Sequence, residues 1–119
     1  MATLSKVPLS GASYGLPVKV AATASTGTTI HATGVSATTV DEVWLFATCT
    51  TSVVLTIQWG GTTAPDNAIT LTIPANSGLT LVIPGLILTG TGGAASTVYA
   101  YASVTNVCML SGYVNRIVP

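Results

Sequence analysis

Apolar and hydroxyl side chains alternate along much of this chain with a period of two. Val53–Trp59 (VVLTIQW) places Val53, Leu55, Ile57 and Trp59 on one face and Val54, Thr56 and Gln58 on the other. Ile69–Ile73 (ITLTI) and Leu79–Ile83 (LTLVI) repeat the pattern. Ile69, Leu71, Ile73, Leu79, Leu81 and Ile83 are expected to point inward, with Thr70, Thr72 and Thr80 outward. That period belongs to half-buried strands. Asp41–Cys49 (DEVWLFATC) is greasy on both sides: Val43, Leu45, Ala47 and Cys49 on one, Trp44 and Phe46 on the other. Such a strand has the core on one face and a partner or loop on the other.

Shorter runs predict strands at Pro17–Ala22, Thr28–Thr33 and Leu86–Leu88, and Val98–Ser103 and Val107–Ile117 are the last two. No window has a helical period. Thr, Val and Ile dominate, and branching at Cβ restricts χ1 and favours strands. Turn clusters lie at Gly60-Gly61, Pro74–Gly78 and Gly90–Gly93. About eight short strands with regular turn signals predict an all-β, single-domain antiparallel β-sandwich, jelly-roll-like, over residues 17–119. Residues 1–16 carry Pro8, Gly11 and Gly15 and no periodic apolar run, so they read as an extended N-terminal arm.

Composition then narrows the function. The 119 residues hold three cations (Lys6, Lys19, Arg116) and three anions (Asp41, Glu42, Asp66), 5 % charged in all. An average domain has about 25 %. Three scattered cations cannot build a phosphate-binding patch or a polybasic membrane anchor, which excludes nucleic acid and anionic membrane as partners. The formal net charge is zero while 49 % of residues are hydrophobic. A surface with so little charge repulsion is expected to be covered by other protein, as in a homo-oligomer or larger assembly. The N-terminus has no continuous apolar stretch of the secretory kind, so Cys49 and Cys108 are expected as reduced, small buried hydrophobes. A disulfide between neighbouring strands is the alternative. Their spacing fits no zinc motif, and no cofactor is expected.

Catalytic signals are weak. His31 is the one histidine, so any nucleophile–histidine device must use it. A lone histidine in a Thr-rich strand is usually an exposed or internally satisfied structural residue. Asp41 and Glu42 are adjacent and point to opposite faces of a strand, wrong for paired carboxylates in one cleft. Neither glycine-rich segment has a phosphate-loop lysine. Trp44 and Trp59 suit core packing, with a sugar-stacking platform as the alternative.

The order of segments from about residue 53 to 117, a strand ending Trp59-Gly60-Gly61, then LTIPANSGLTLVIPGLIL, then Val98–Ser103, then VCMLSGYVNRI, resembles small β-sandwich virion proteins of tailed bacteriophages. The resemblance implies a structural virion protein, closest in role to a head decoration (cement) protein, with no catalytic residues to carry over. Its partners would be the major capsid protein or other virion proteins, and its place the virion, assembled in the host cytoplasm. A homotrimer is the expected oligomer. The arm residues Ala2, Leu4, Val7, Pro8, Leu9, Tyr14 and Leu16 are the expected assembly contacts. Deleting the arm is expected to weaken binding and leave the fold. The alternatives are a tail or head–tail connector component and a carbohydrate- or receptor-binding module.

Overall fold

The computed structural model describes residues 2–119; Met1, the first residue of the expected arm, lies outside them. The described residues form nine strands and no helix: β1 (Thr3–Pro8), β2 (Val18–Val20), β3 (Thr28–Ala32), β4 (Val40–Cys49), β5 (Val53–Trp59), β6 (Ala68–Ile73), β7 (Thr80–Leu88), β8 (Thr97–Ala102) and β9 (Cys108–Val118). They make two antiparallel sheets. One runs β1-β9-β4-β7, with β2 also on β9; the other runs β3-β8-β5-β6. The protein is a β-sandwich.

The core lies between the inner faces. Val43, Leu45 and Ala47 of β4, Ile83 of β7 and Leu110 and Val114 of β9 meet Ile30, Leu55, Ile57, Ile73, Val98 and Ala100, all of them fully buried. Fully burying each large aliphatic chain stabilises the fold by roughly 1.5–3 kcal/mol. The alternation in β4 holds throughout: Asp41, Val43, Leu45, Ala47 and Cys49 point in, and Glu42, Trp44, Phe46 and Thr48 point out.

Two expectations are corrected. Residues 3–8 are not a free arm. They pair in register with β9 from Thr3↔Val118 to Pro8↔Tyr113. The chain then crosses to the other sheet: Leu9 is buried in the core, and Gly11 N–H donates to the Ile30 carbonyl of β3 at 2.9 Å. This first strand raises the count from about eight to nine.

The second correction concerns β7. Leu79 and Leu81, expected inward, are exposed, while Val82 and Ile83 are buried. The pairing explains it. Leu45 faces Ile83 but Phe46 faces Leu81, so Val82 is an extra residue. Trp44 faces Pro84 but Val43 faces Leu86, so Gly85 is a second one. Each bulge resets which residues face the core. Gly85 has φ 79°, open to glycine at little cost. Pro84 is tolerated because β7 is a sheet edge.

Candidate functional site

The two outer faces differ in chemistry. On the four-stranded sheet, Thr70 and Thr72 of β6 stand beside Thr56 and Val54, and Tyr99 and Tyr101 stand beside Gln58 and Thr56. The loop before β3 folds over this face. Gln58 Nε2 donates to Ser25 Oγ, and Gly27 N–H donates to Gln58 Oε1, each at 2.9 Å. This surface is mostly hydroxyl.

The outer face of the five-stranded sheet has an aromatic and aliphatic centre and also carries Lys6, Lys19 and Glu42. Register places Trp44 beside Tyr113 and Pro84, Phe46 beside Ser111 and Leu81, Glu42 beside Asn115 and Ile87, and Leu4 beside Ile117. The rings of Trp44 and Tyr113 stack, with centroids 6.3 Å apart and planes 16° from parallel. Lys6 Nζ sits 4.8 Å above the Tyr113 ring, a cation–π contact. Trp44 Nε1–H donates to Glu42 Oε1 at 2.6 Å, and Asn115 Nδ2 donates to the same oxygen at 3.1 Å. These bonds hold the Glu42 carboxyl below the usual carboxylate range, Trp44 contributing most. The charges here therefore order the aromatic pair. Around it Leu4 (68 % exposed), Leu81 and Ile87 (63 %) leave apolar area open to water. A broad sheet face with central aromatics is the form protein-binding surfaces take.

A second constellation lies inside. His31 on β3 is fully buried and Asp41 on β4 nearly so. Ser10 N–H donates to His31 Nδ1 at 3.1 Å, which leaves the ring proton on Nε2, 2.7 Å from Asp41 Oδ2. Arg116, directly opposite Asp41 on β9, donates from Nε to Oδ1 (2.8 Å) and from Nη2 to Oδ2 (2.9 Å). Burial pushes the Asp41 carboxyl up, but the hydrogen bonds of Arg116 and His31 and the guanidinium charge outweigh it and leave the pKa lowered. Asp41 in turn raises Arg116. Ser10 Oγ accepts from Ala32 N–H at 2.7 Å and is directed at the backbone, not at the imidazole. Both ring nitrogens are thus engaged. The group ties the Leu9–Gly11 crossing to both sheets, so His31 is an internally satisfied structural residue.

The structure scatters the expected contact residues. Leu4 and Pro8 lie on the aromatic face through their partners Ile117 and Tyr113. Val7 is half-buried against the core and Leu9 is inside it, so Leu9 offers no surface. Ala2 is exposed ahead of β1, and Tyr14 and Leu16 are exposed on the loop between β1 and β2. Trp44 and Trp59 are not brought together: Trp59 packs against the core from the other sheet. Sequence reasoning missed Tyr113 and Leu81 as surface neighbours of Trp44 and Phe46, although the two-sided greasiness of 41–49 was the signal for a covered outer face. Comparisons with family models, with curated proteins and with solved structures find no match for this chain.

Proposed function

We propose that this chain is a structural virion protein of a tailed bacteriophage, a head decoration protein that binds the outer capsid surface and strengthens contacts between capsid subunits. The observation that carries this reading is the cluster of aromatic and aliphatic side chains at the centre of the outer face of the five-stranded sheet, on a chain with only six charged side chains. Trp44, Phe46, Tyr113 and Leu81 form its centre, with Leu4 and Ile87 toward its two edges. Central aromatics in an apolar patch are where protein interfaces concentrate binding energy. The action needs no bond-making chemistry, because area buried across many copies resists subunit separation.

The strand orders support reading the sandwich as a jelly roll. Strands β2-β9-β4-β7 face β3-β8-β5-β6, a two-sheet arrangement that viral capsid and lectin domains share. The resemblance of residues 53–117 to small virion proteins points the same way.

The test is co-sedimentation of the purified chain with tailed-phage heads that lack a decoration protein. Wild-type chain is expected to pellet with heads. Phe46→Lys and Leu81→Lys, both outward-facing, are expected to remain in the supernatant while unfolding at the wild-type temperature. Retained binding by both variants would remove the aromatic face from the interface. Binding of the wild type to a glycan array instead of heads would transfer the function to a saccharide-binding module.

A further inference from the structure

Cys49 and Cys108 are directly opposite each other, Cys49 as the last residue of β4 and Cys108 as the first of β9. The kind of pairing matters. Thr50 and Val107 are the next opposed residues, and Thr50 N–H donates to the Val107 carbonyl at 3.0 Å. Opposed residues in an antiparallel pair alternate between hydrogen-bonded and non-hydrogen-bonded positions, so Cys49 and Cys108 occupy a non-hydrogen-bonded one. The Cys49 carbonyl agrees, since it accepts from Asn76 N–H, away from β9. At such positions the Cα atoms are about 4.5 Å apart and the side chains approach most closely. That lies within the Cα window of a disulfide, roughly 4.4–6.8 Å. Both side chains point into the core, both are buried, and both are free thiols.

We propose that Cys49 and Cys108 are an oxidation site that hydrogen peroxide closes into a disulfide, fastening β4 to β9. One thiolate attacks a peroxide oxygen. The O–O bond breaks, the leaving hydroxide takes up a proton as water, and a sulfenic acid remains on that sulfur. The facing sulfur attacks it, the S–S bond forms, and the S–O bond breaks. The departing hydroxide takes the second thiol's proton as water. Two thiols lose two electrons and one peroxide is reduced.

The surroundings set the character of the site. Burial, with Cys49 beside it, pushes the Cys108 thiol up to about 12, so closure is slow and the site is not a rapid sensor. The exposed segments nearest the pair along the chain are Thr50–Ser52 and Ser103–Asn106, at the strand ends. The bond would enclose β5 through β8, a large loop, and restrict the unfolded chain accordingly. The pairing stands apart from any docking on the aromatic face.

The reduced, folded protein is treated with hydrogen peroxide at neutral pH, then unfolded, alkylated and analysed by intact mass and peptide mapping. The expected product is two hydrogens lighter at the cysteines, contains one linked peptide pair spanning Cys49 and Cys108, and takes up no alkylating reagent. Its urea midpoint is raised, and dithiothreitol restores the original. Met109, next to Cys108, gains an oxygen when oxidised and is resolved in the same map. Cys49→Ala and Cys108→Ala are expected to show no rise in midpoint. Two alkylatable thiols after prolonged treatment would overturn the proposal, as would oxygen added to either cysteine without a link. So would a bond that forms only when peroxide is added in urea.

Discussion

His31 Nε2 and Asp41 Oδ2 stand 2.7 Å apart across the sandwich, a charge-bearing tie between its two sheets. Breaking one partner of such a group strands the others in an apolar interior. Asp41→Ala is therefore expected to cost about 3–5 kcal/mol, read as a lowered urea midpoint. Arg116→Met removes the one cation on Asp41 and leaves a buried carboxylate with only the His31 ring N–H as side-chain partner, so it is expected to cost a similar amount.

The same tie sets the acid side of the stability curve. Burial pushes the Asp41 pKa up, but the bonds from Arg116 and His31 bring it below its ordinary value. A carboxylate whose folded pKa is depressed contributes stability that is fully present above its unfolded pKa of about 3.9, and loses it as pH falls through the folded value. Melting temperature should be level from neutral pH to about pH 5 and fall below pH 4. Asp41→Asn should flatten that fall from a lower starting stability. Glu42 is also depressed but solvent-facing, so Glu42→Gln should change the slope less. An unchanged slope in Asp41→Asn would assign the acid sensitivity elsewhere.

Gly85 supports Trp44 from below. A Cβ there would lie 2.8 Å from the indole, on a backbone with φ 79°. Gly85→Ala is expected to destabilise by about 1–3 kcal/mol and to quench or shift the Trp44 emission as the ring is displaced. Gly78→Ala has a similar φ but open space around it and isolates the backbone cost from the steric one.

The N-terminal segment is structural up to Leu9. Leu9→Ala is expected to cost about 2–5 kcal/mol. Deletion of residues 2–7 removes one edge strand and should leave a folded, less stable domain, whereas deletion of residues 2–16 should lose the cooperative thermal transition. A cooperative melt at wild-type temperature in the longer deletion would restore the free-arm description.

The strand pattern was legible because it rests on local chemistry. Alternation in 53–59 and 41–49 places Leu55, Ile57, Val43 and Leu45 in the core as expected, and the Gly and Pro clusters fall at the turns. What failed was non-local. Thr3–Pro8 has no alternation, and its place in the sheet comes from hydrogen bonds to β9 and from Leu9 beyond it. The outward turn of Leu81 depends on bulges at Val82 and Gly85, which only the partner strand reveals. His31, Asp41 and Arg116 are separated by 10 and 75 residues, and nothing in the spacing joins them. The Cys49–Cys108 pairing needed the register of β4 on β9. The aromatic face was half legible: Trp44 and Phe46 announced a covered outer side, but Tyr113 joined them only through that register.

The most direct measurement is the copy number of this chain in purified phage particles, by quantitative mass spectrometry against the major capsid protein. Head decoration predicts a number comparable to that of the capsid protein. A small, ring-like number would place the chain in the tail or connector, and its absence from particles would contradict a virion role altogether.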